Sequence, residues 1–240
     1  MFIREQLKRS AGVVGAVHDV RRIANTLRYN RRNKGLISEY LKSQAVKKLQ
    51  IGAGFNLLDG WLSTDLNPRY DSVVYLDATK RFPFSDGTFD HVYSEHMIEH
   101  ISWNQGALML AECHRVLKSG ASIRIATPDL KVLIDMYSGA RSHEADAYIR
   151  WITDTFLNGV QAYKPQYVIN NSFNNWGHQF IYDAEVLTLA LQAAGFENVQ
   201  QKEIGESDYP HFRNLEMHGQ HVEDEAMAKF ETMVLEARRP

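Results

Sequence analysis

The sequence predicts an α/β fold, with helices on the faces of an open sheet. Three observations support this: short apolar runs alternate with helix-like stretches from residue 48 onward, a Gly-x-Gly turn follows the first run, and aspartates end the next two runs. The 240 residues are 44% hydrophobic and 23% charged, close to the globular average. The length is enough for one large domain with a full core.

Seven short segments, most of them apolar runs, are candidate strands. They are Leu49–Gly52, Trp61–Leu66, Ser72–Leu76, His91–Ser94, Ser122–Thr127, Val199–Ile204 and Thr232–Ala237. Only the short stretch from Ala53 to Gly60 separates the first two runs. Because a parallel crossover normally takes about a dozen residues or more, any helix in this stretch must be a turn or two at most.

Two helices are predicted from apolar periodicity and end signals. One spans Gln105 to Leu117, with Gly120 as its terminator. The other begins after Asp183, a good N-cap residue, and ends at Gly195. Residues Asn158–Gln179 are polar, aromatic and aperiodic, which predicts a long loop of the kind that often forms a lid.

The first part of the chain is strongly basic. Residues 1–48 carry a net charge of +9 and the remainder −11, for a total of −2 that argues against a polyanion binder as a whole. One apolar helix face is predicted from Val13, Val17, Val20, Ala24 and Leu27. We therefore expect a basic helical N-terminal extension at residues 1–47 and one domain at 48–240. Such a helix can contact anionic lipid, nucleic acid or a protein partner, and the simpler alternative is packing on its own domain.

The cysteine content and the lengths of the apolar runs also bear on the cellular compartment of the protein. The lone cysteine, Cys113, cannot form an internal disulfide, and no apolar run approaches the roughly 20 residues that cross a bilayer. We expect a soluble, cytoplasmic protein, although the Arg-rich, acid-poor start leaves an organelle transit peptide open. The oligomeric state is not readable from the sequence.

The turn Gly52-Ala53-Gly54 is the first chemical signal, because glycines let a ligand approach the backbone closely. A dinucleotide fingerprint would have a third glycine where Leu57 stands, and no P-loop lysine is present. Asp65 and Asp77 end the second and third runs, at the sheet end where open α/β folds bind ligands. A carboxylate suits a ribose diol at Asp65 and an adenine amino group at Asp77, so an adenosine ligand without phosphates fits best.

From about Lys48 to Asp129 the chain resembles class I S-adenosylmethionine-dependent methyltransferases that modify small molecules. The matching segments are Leu49–Gly54, Ser63–Leu66, Phe82–Val92, Glu95–Ile101, Arg115–Gly120 and Thr127–Asp129, with His178–Phe180 and Ala194–Phe196 also similar. The resemblance extends to predicted methyltransferases of surface-polysaccharide biosynthesis. It implies a Rossmann-like, doubly wound sheet of seven mostly parallel strands with the last antiparallel. It also implies S-adenosylmethionine as cofactor, with a small molecule or a sugar or glycan precursor as acceptor.

The resemblance implies roles for the strand ends. The cofactor-binding candidates are Gln50, Gly52, Ala53, Gly54, Asp65, Leu66, Asp77, Ala78 and Ser94. The two glycines would face the methionine part, Asp65 the ribose, and Asp77 with Ala78 the adenine. Ser94, Glu95 and His96 would lie beside the transferable methyl group. Gln50 stands where the family usually has an acid; its carbonyl can still accept a hydrogen bond, but it brings no charge.

A general base would help if the acceptor is a hydroxyl group. His96 is the first candidate, Glu95 the second and Asp129 the third. His96 and His100 also fit an H-x-x-E-H zinc pattern, but no third ligand is marked, so we expect no metal. His100 is expected to fix its loop instead.

The remaining histidines are less informative. His178 either reaches over the site from the lid or packs in the core, and His211, His218 and His221 are expected in a solvated loop. Two other functions stay open: an RNA- or DNA-directed methyltransferase that uses the basic arm, and a non-catalytic binding module on the same fold.

Overall fold

A seven-stranded mixed sheet with helices on both sides forms the frame of the described chain. The computed structural model describes residues 32–139 and 141–240. The strands are β1 Lys48–Ile51, β2 Leu62–Asp65, β3 Val74–Tyr75, β4 Phe89–Glu95, β5 Leu117–Pro128, β6 Glu197–Lys202 and β7 Thr232–Arg238. Their order is β3-β2-β1-β4-β5-β7-β6, and β7 is antiparallel to both of its neighbours. The predicted fold class is therefore confirmed.

Eight α-helices accompany the sheet in the described residues. They are α1 (residues 32–43), α2 Trp103–Val116, α3 Leu130–Ser138, α4 His143–Phe156, α5 Pro165–Asn174, α6 Ala184–Ala193, α7 His218–His221 and α8 Glu225–Glu231. Two short 3-10 helices lie at Ile98–His100 and Pro210–Phe212. Among the helices described here, none is long and apolar enough to cross a bilayer.

All seven predicted strands are present, and the connection between β1 and β2 contains only turns, as expected. The end of the first predicted helix was placed wrongly. α2 ends at Val116, and Leu117 is already extended and paired with Phe89 of β4. The following Lys118 binds Asp90 at 2.7 Å. Gly120, predicted as the helix terminator, lies within β5 instead.

The second predicted helix is confirmed, since the side chain of Asp183 caps α6 by accepting a hydrogen bond from the Val186 amide at 2.8 Å. The long loop predicted at Asn158–Gln179 was wrong, because α5 occupies its centre. The buried face of α5 includes the polar Asn171 and Ser172, and this hid the helical period from an analysis of apolar residues.

Helix α1 packs against the sheet. Leu36, Ile37, Tyr40 and Leu41 contact the main apolar core. The side chain of Asn33 also forms two hydrogen bonds with the backbone of Tyr75 in β3. It donates to the carbonyl at 2.8 Å and accepts from the amide at 3.1 Å. The amphipathic helix predicted around Val13–Leu27 lies outside the described residues, and the domain boundary at residue 47 stays a prediction.

The buried side chain of Arg124 connects residues 203–216, which follow β6, to the sheet through hydrogen bonds and ion pairs. Arg124 of β5 is 0% exposed, and its guanidinium lies 2.6 Å from carboxylate oxygens of both Glu216 and Glu236. It also donates to the backbone carbonyls of Glu206 and Glu203, at 2.8 and 3.3 Å. Because so many partners share one side chain, the position of residues 203–216 depends on it.

A second apolar core lies beside the carboxyl ends of β4 and β5. It is formed by α3, α4 and α5, and Met227 and Phe230 of α8 pack against it. Its buried side chains are Leu133, Met136, Ala145, Tyr148, Ile149, Ile152, Val168 and Ile181. This cluster forms one wall of the candidate site.

Candidate active site

The register of the parallel strands brings the predicted cofactor residues to one end of the sheet. Ile51 pairs with both Thr64 and Ser94, which sets Gly52 beside Asp65 and Glu95. The Leu76 amide donates to the Asp65 carbonyl at 2.9 Å, so Asp77 continues along the same end. We call these carboxyl ends of β1 to β4 the carboxyl edge.

The two glycines of the turn face different surroundings. Gly54 has a φ of +53°, and a Cβ built there would meet no described atom within 4 Å. Gly52 has a φ of +73°, and its Cβ would lie 2.4 Å from Cγ of Met97. Gly52 is thus required by the packing of Met97, whereas Gly54 leaves open space above the turn. Ala53, between them, is buried.

Asp65 and Asp77 are both half-buried and fixed by nearby donors. In Asp65, Oδ2 accepts from the Gly54 amide at 2.9 Å and Oδ1 from the Asn67 amide at 2.7 Å. In Asp77, Oδ1 accepts from the amide and the hydroxyl of Thr79, at 3.0 and 2.6 Å. A carboxylate oxygen has two lone pairs, so Asp65 can accept further hydrogen bonds from a diol. The following Leu66 is 37% exposed.

The side-chain amide of Gln50 is hydrogen-bonded at both its nitrogen and its oxygen within the protein. Its amide nitrogen donates to the Asn56 carbonyl at 2.7 Å, its carbonyl accepts from the Ser63 hydroxyl at 2.8 Å, and the residue is 3% exposed. The protein itself therefore engages both ends of this amide, and direct contact with a cofactor stays a prediction.

Ser94 and Glu95 end β4 in different ways. The Ser94 hydroxyl is buried and has no hydrogen-bond partner within the described residues. In Glu95, Oε1 accepts from the amides of Met217 and His218, both at 2.8 Å, and Oε2 lies 3.4 Å from Nδ2 of Asn56. Glu95 thus anchors the loop before α7, and this engagement makes it a poor candidate for a general base.

His96 leaves β4 in the left-handed region, with a φ of +43°. Its Nε2 lies 2.9 Å from Oγ1 of Thr232, its Nδ1 lies 3.3 Å from Oε1 of Glu99, and its ring stacks on His218 with centroids 3.7 Å apart. Burial alone lowers the pKa of His96, but the carboxylates of Glu99, Glu231 and Glu95 raise it above the usual value.

A cavity of about 320 Å³ opens beyond β4 and β5. We call it the His/Glu cavity. Its lining is His96, Glu99, His100, Pro128, Trp151, Ile152, Phe156, Trp176, His178, His218, Val222 and Glu231. The cavity therefore combines aromatic walls with two carboxylates and four imidazoles.

The carboxylates of this cavity are held by neighbouring groups. Burial raises the pKa of Glu231, but His218, at 3.3 Å from its Oε1, together with His96 and the Tyr148 hydroxyl, brings the pKa below its usual value. Glu99 behaves in the same way: burial raises its pKa, but the imidazoles of His96 and His100 and a backbone hydrogen bond together bring the pKa below its usual value. Both side chains are therefore anionic at neutral pH.

Asp129, the third candidate base, serves as the N-cap of α3. Its Oδ1 accepts from the Lys131 amide at 2.8 Å, and burial raises its pKa. The lining of the His/Glu cavity does not include it. The structure thus brings His96 to the cavity and assigns Asp129 a capping role.

Sequence reasoning was wrong about one histidine and missed one acid. His218 was expected in solvent, but it stacks on His96 and pairs with Glu231, whereas His211 and His221 are exposed as expected. Glu231 was not singled out at all. No local pattern marks either residue, because they reach the cavity only through the pairing of β7 with β5.

Residues 34–125 match the family described as a methyltransferase domain. The match covers less than half of the chain. No curated protein matches the chain.

The chain is also similar to solved structures. One is a SAM-dependent methyltransferase from Archaeoglobus fulgidus, with 18% identity, a TM-score of 0.47, and coverage of 91% of this chain and 94% of that one. Another, from Thermotoga maritima, has 15% identity, a TM-score of 0.46 and coverage of 91% and 96%. A third is phosphoethanolamine N-methyltransferase 2 of Haemonchus contortus in complex with S-adenosyl-L-methionine, with 14% identity, a TM-score of 0.43 and coverage of 88% and 52%.

Proposed function

On the premise that residues 34–125 form a methyltransferase domain, we propose that the protein transfers a methyl group from S-adenosylmethionine to a small hydroxylated acceptor, such as a sugar or glycan precursor. The observation that carries this proposal is the His/Glu cavity, which begins at His96, directly after the last strand of the carboxyl edge. Two adjoining spaces, one for the cofactor and one for the acceptor, are what methyl transfer between two small molecules needs.

The residues of the carboxyl edge fit the cofactor. Gly54 borders open space, Asp65 keeps lone pairs for a ribose diol, and the buried hydroxyl of Ser94 has no partner in the described chain. When bound, S-adenosylmethionine supplies an activated methyl group. The chain's own contribution is to hold the two molecules in line and to keep water away, since alignment supplies much of the rate of such a displacement.

The His/Glu cavity fits a small polar acceptor. Its volume of about 320 Å³ is at the lower end of the range of small-molecule sites. Trp151, Phe156 and Trp176 offer flat apolar faces, while Glu99 and Glu231 accept hydrogen bonds from hydroxyl groups. The resemblance of the sequence to predicted methyltransferases of surface-polysaccharide biosynthesis also favours a sugar.

Binding of S-adenosylhomocysteine, the demethylated form of the cofactor, tests the proposal directly. We expect saturable, one-to-one binding by calorimetry with the full chain. If no heat of binding is detected at S-adenosylhomocysteine concentrations up to the millimolar range, the proposal is refuted. Transfer of a labelled methyl group into a cell extract then separates an enzyme from the non-catalytic alternative, which binds without turnover.

The same assay addresses the RNA- or DNA-directed alternative. That function depends on the basic arm at residues 1–48, of which residues 1–31 lie outside the described residues. Label that appears in nucleic acid, and is lost steeply with added salt, would favour it over a small-molecule acceptor. We expect the label in the low-molecular-mass fraction.

Asp65→Ala and Asp77→Ala should each weaken S-adenosylhomocysteine binding by about 1–3 kcal/mol, because each removes a hydrogen-bond acceptor from a bound ligand. Calorimetry on both variants measures the effect, which corresponds to roughly 5- to 150-fold in affinity. The exposed Asp59 provides the control, since Asp59→Ala changes the same charge in a neighbouring loop. If both test variants bind like wild type, the assignment of the carboxyl edge is wrong.

A further inference from the structure

Glu99 lines the His/Glu cavity, and one of its carboxylate oxygens accepts no hydrogen bond from the described chain. The residue is 0% exposed. Its Oε2 accepts a hydrogen bond from the Thr127 hydroxyl at 3.0 Å, which fixes the carboxylate. Its Oε1 accepts no hydrogen bond from the described chain, and the nearest cationic group is the His96 ring, 3.3 Å away. A buried carboxylate oxygen with free lone pairs favours a bound cation.

His178 is oriented so that one ring nitrogen is left free. Its Nδ1 lies 2.8 Å from the Ser172 carbonyl. A carbonyl oxygen only accepts, so Nδ1 carries the hydrogen and the lone pair of Nε2 remains available. A histidine that binds a metal commonly has this second contact, because it fixes the tautomer and the ring orientation.

His100 lies between the other two groups. Its Nε2 is 4.0 Å from Oε1 of Glu99, and its ring is 4.9 Å from that of His178, at an interplanar angle of 72°. One donor atom from each of Glu99, His100 and His178 lies within 4.8 Å of the others. Since imidazole lone pairs lie in the ring planes, two rings at this angle can direct them at one point.

A second group in the same cavity is less suited to a metal. His96, His218 and Glu231 also have donor atoms within 4.8 Å of one another. However, the rings of His96 and His218 stack face to face at only 15°. Their lone pairs lie in nearly parallel planes and do not converge.

We propose that Glu99, His100 and His178 bind one divalent transition-metal ion, with an open coordination position facing the His/Glu cavity. Two imidazoles and one carboxylate with an open position are a ligand set of catalytic zinc sites. The sequence contained Glu99 and His100 within its H-x-x-E-H pattern but marked no third ligand. We take His178, rather than His96 of that pattern, as the third ligand, because the fold places it beside Glu99 and His100.

The backbone already holds the ligand segments together. The Gln179 amide donates to the Glu99 carbonyl at 2.7 Å, and the Gln179 side chain donates to the His100 carbonyl at 2.8 Å. Ligand atoms about 2.1 Å from a tetrahedral zinc ion are roughly 3.4 Å apart. The side chains therefore close in by about 1 Å, which rotation of His100 and His178 can provide.

The open position suggests the use of the metal. It would receive an oxygen of the acceptor, which favours acceptors with hydroxyl or carboxylate groups. This role rests on the proposed function, whereas binding of the metal does not.

Cobalt titration tests the site. The untagged full chain, freed of metal with a chelator, is titrated with Co²⁺, and the visible ligand-field absorption is recorded before and after competition with Zn²⁺. We expect one Co²⁺ per chain, displaced by Zn²⁺. His178→Ala, His100→Ala and Glu99→Gln should each weaken binding by roughly 100-fold or more.

Two variants serve as matched controls. His211→Ala removes an exposed histidine, and His218→Ala removes the second histidine group; both should keep the affinity of wild type. Absence of Co²⁺ binding, equal binding by His178→Ala and wild type, or loss only with His218→Ala would each overturn the assignment.

Binding of S-adenosylhomocysteine reports on folding of each variant, and His178→Ala carries the test if Glu99→Gln does not fold. Wild type that binds Co²⁺ but not S-adenosylhomocysteine refutes the proposed function and leaves the metal site standing. The opposite result refutes only the metal site.

Discussion

Arg124→Met is expected to lower the free energy of unfolding by about 3–5 kcal/mol, because it leaves the carboxylates of Glu216 and Glu236 buried without their cation. Methionine keeps much of the side-chain length, so the loss reports on charge and hydrogen bonding more than on volume. It also removes the donors to the Glu203 and Glu206 carbonyls. Urea denaturation followed by circular dichroism measures the change.

A surface ion pair provides the control for this experiment. Lys202 binds Asp208 at 2.7 Å, but the Asp208 side chain is 79% exposed. Lys202→Met should therefore leave the unfolding midpoint nearly unchanged, since solvent screens such pairs. A loss below about 1 kcal/mol for Arg124→Met would show that Glu216 and Glu236 find other partners or take up protons.

His96→Asn should lower turnover by roughly 100-fold or more while S-adenosylhomocysteine binding changes little. The imidazole lines the His/Glu cavity, directly after the strand that carries Ser94, so under the proposed function it contacts the acceptor. Asparagine is the suitable replacement because it tolerates the left-handed backbone of position 96 better than alanine does. Methyl transfer into the acceptor fraction and calorimetry together measure the two quantities.

The matched control replaces a distant histidine. His143 is exposed at the start of α4, and His143→Asn should leave both turnover and binding unchanged. An equal loss of turnover and of cofactor affinity in His96→Asn would show that His96 binds the cofactor. If His96→Asn changes neither turnover nor cofactor affinity, His96 takes no part in the reaction.

The strands and the carboxyl edge could be predicted because they depend on short segments. Most of the strands are short apolar runs, and parallel pairing then places Asp65 beside the glycine turn. The role of Gln50 could not be predicted in this way. Its partners, Asn56 and Ser63, are fixed only by how the turn folds over β2.

The cavity was beyond sequence reasoning for a different reason. Its polar groups come from the turn after β4, from the segment after α5, and from the region that ends in α8. No period or spacing joins His96 to His218, or Glu99 to His178, because tertiary packing alone makes them neighbours. The α5 helix was missed on similar grounds, since part of its buried face is polar.

The contacts of Glu95 bear on which parts of the sequence can change independently during evolution. The carboxyl edge is encoded by one continuous stretch, up to the codon for Glu95, whereas the cavity draws on codons spread from His96 to Glu231. Under the proposed function, mutations after Glu95 can change the acceptor cavity while the segment proposed to bind the cofactor keeps its sequence. Glu95 is the exception, because it reaches Asn56 on one side and the Met217 and His218 amides on the other.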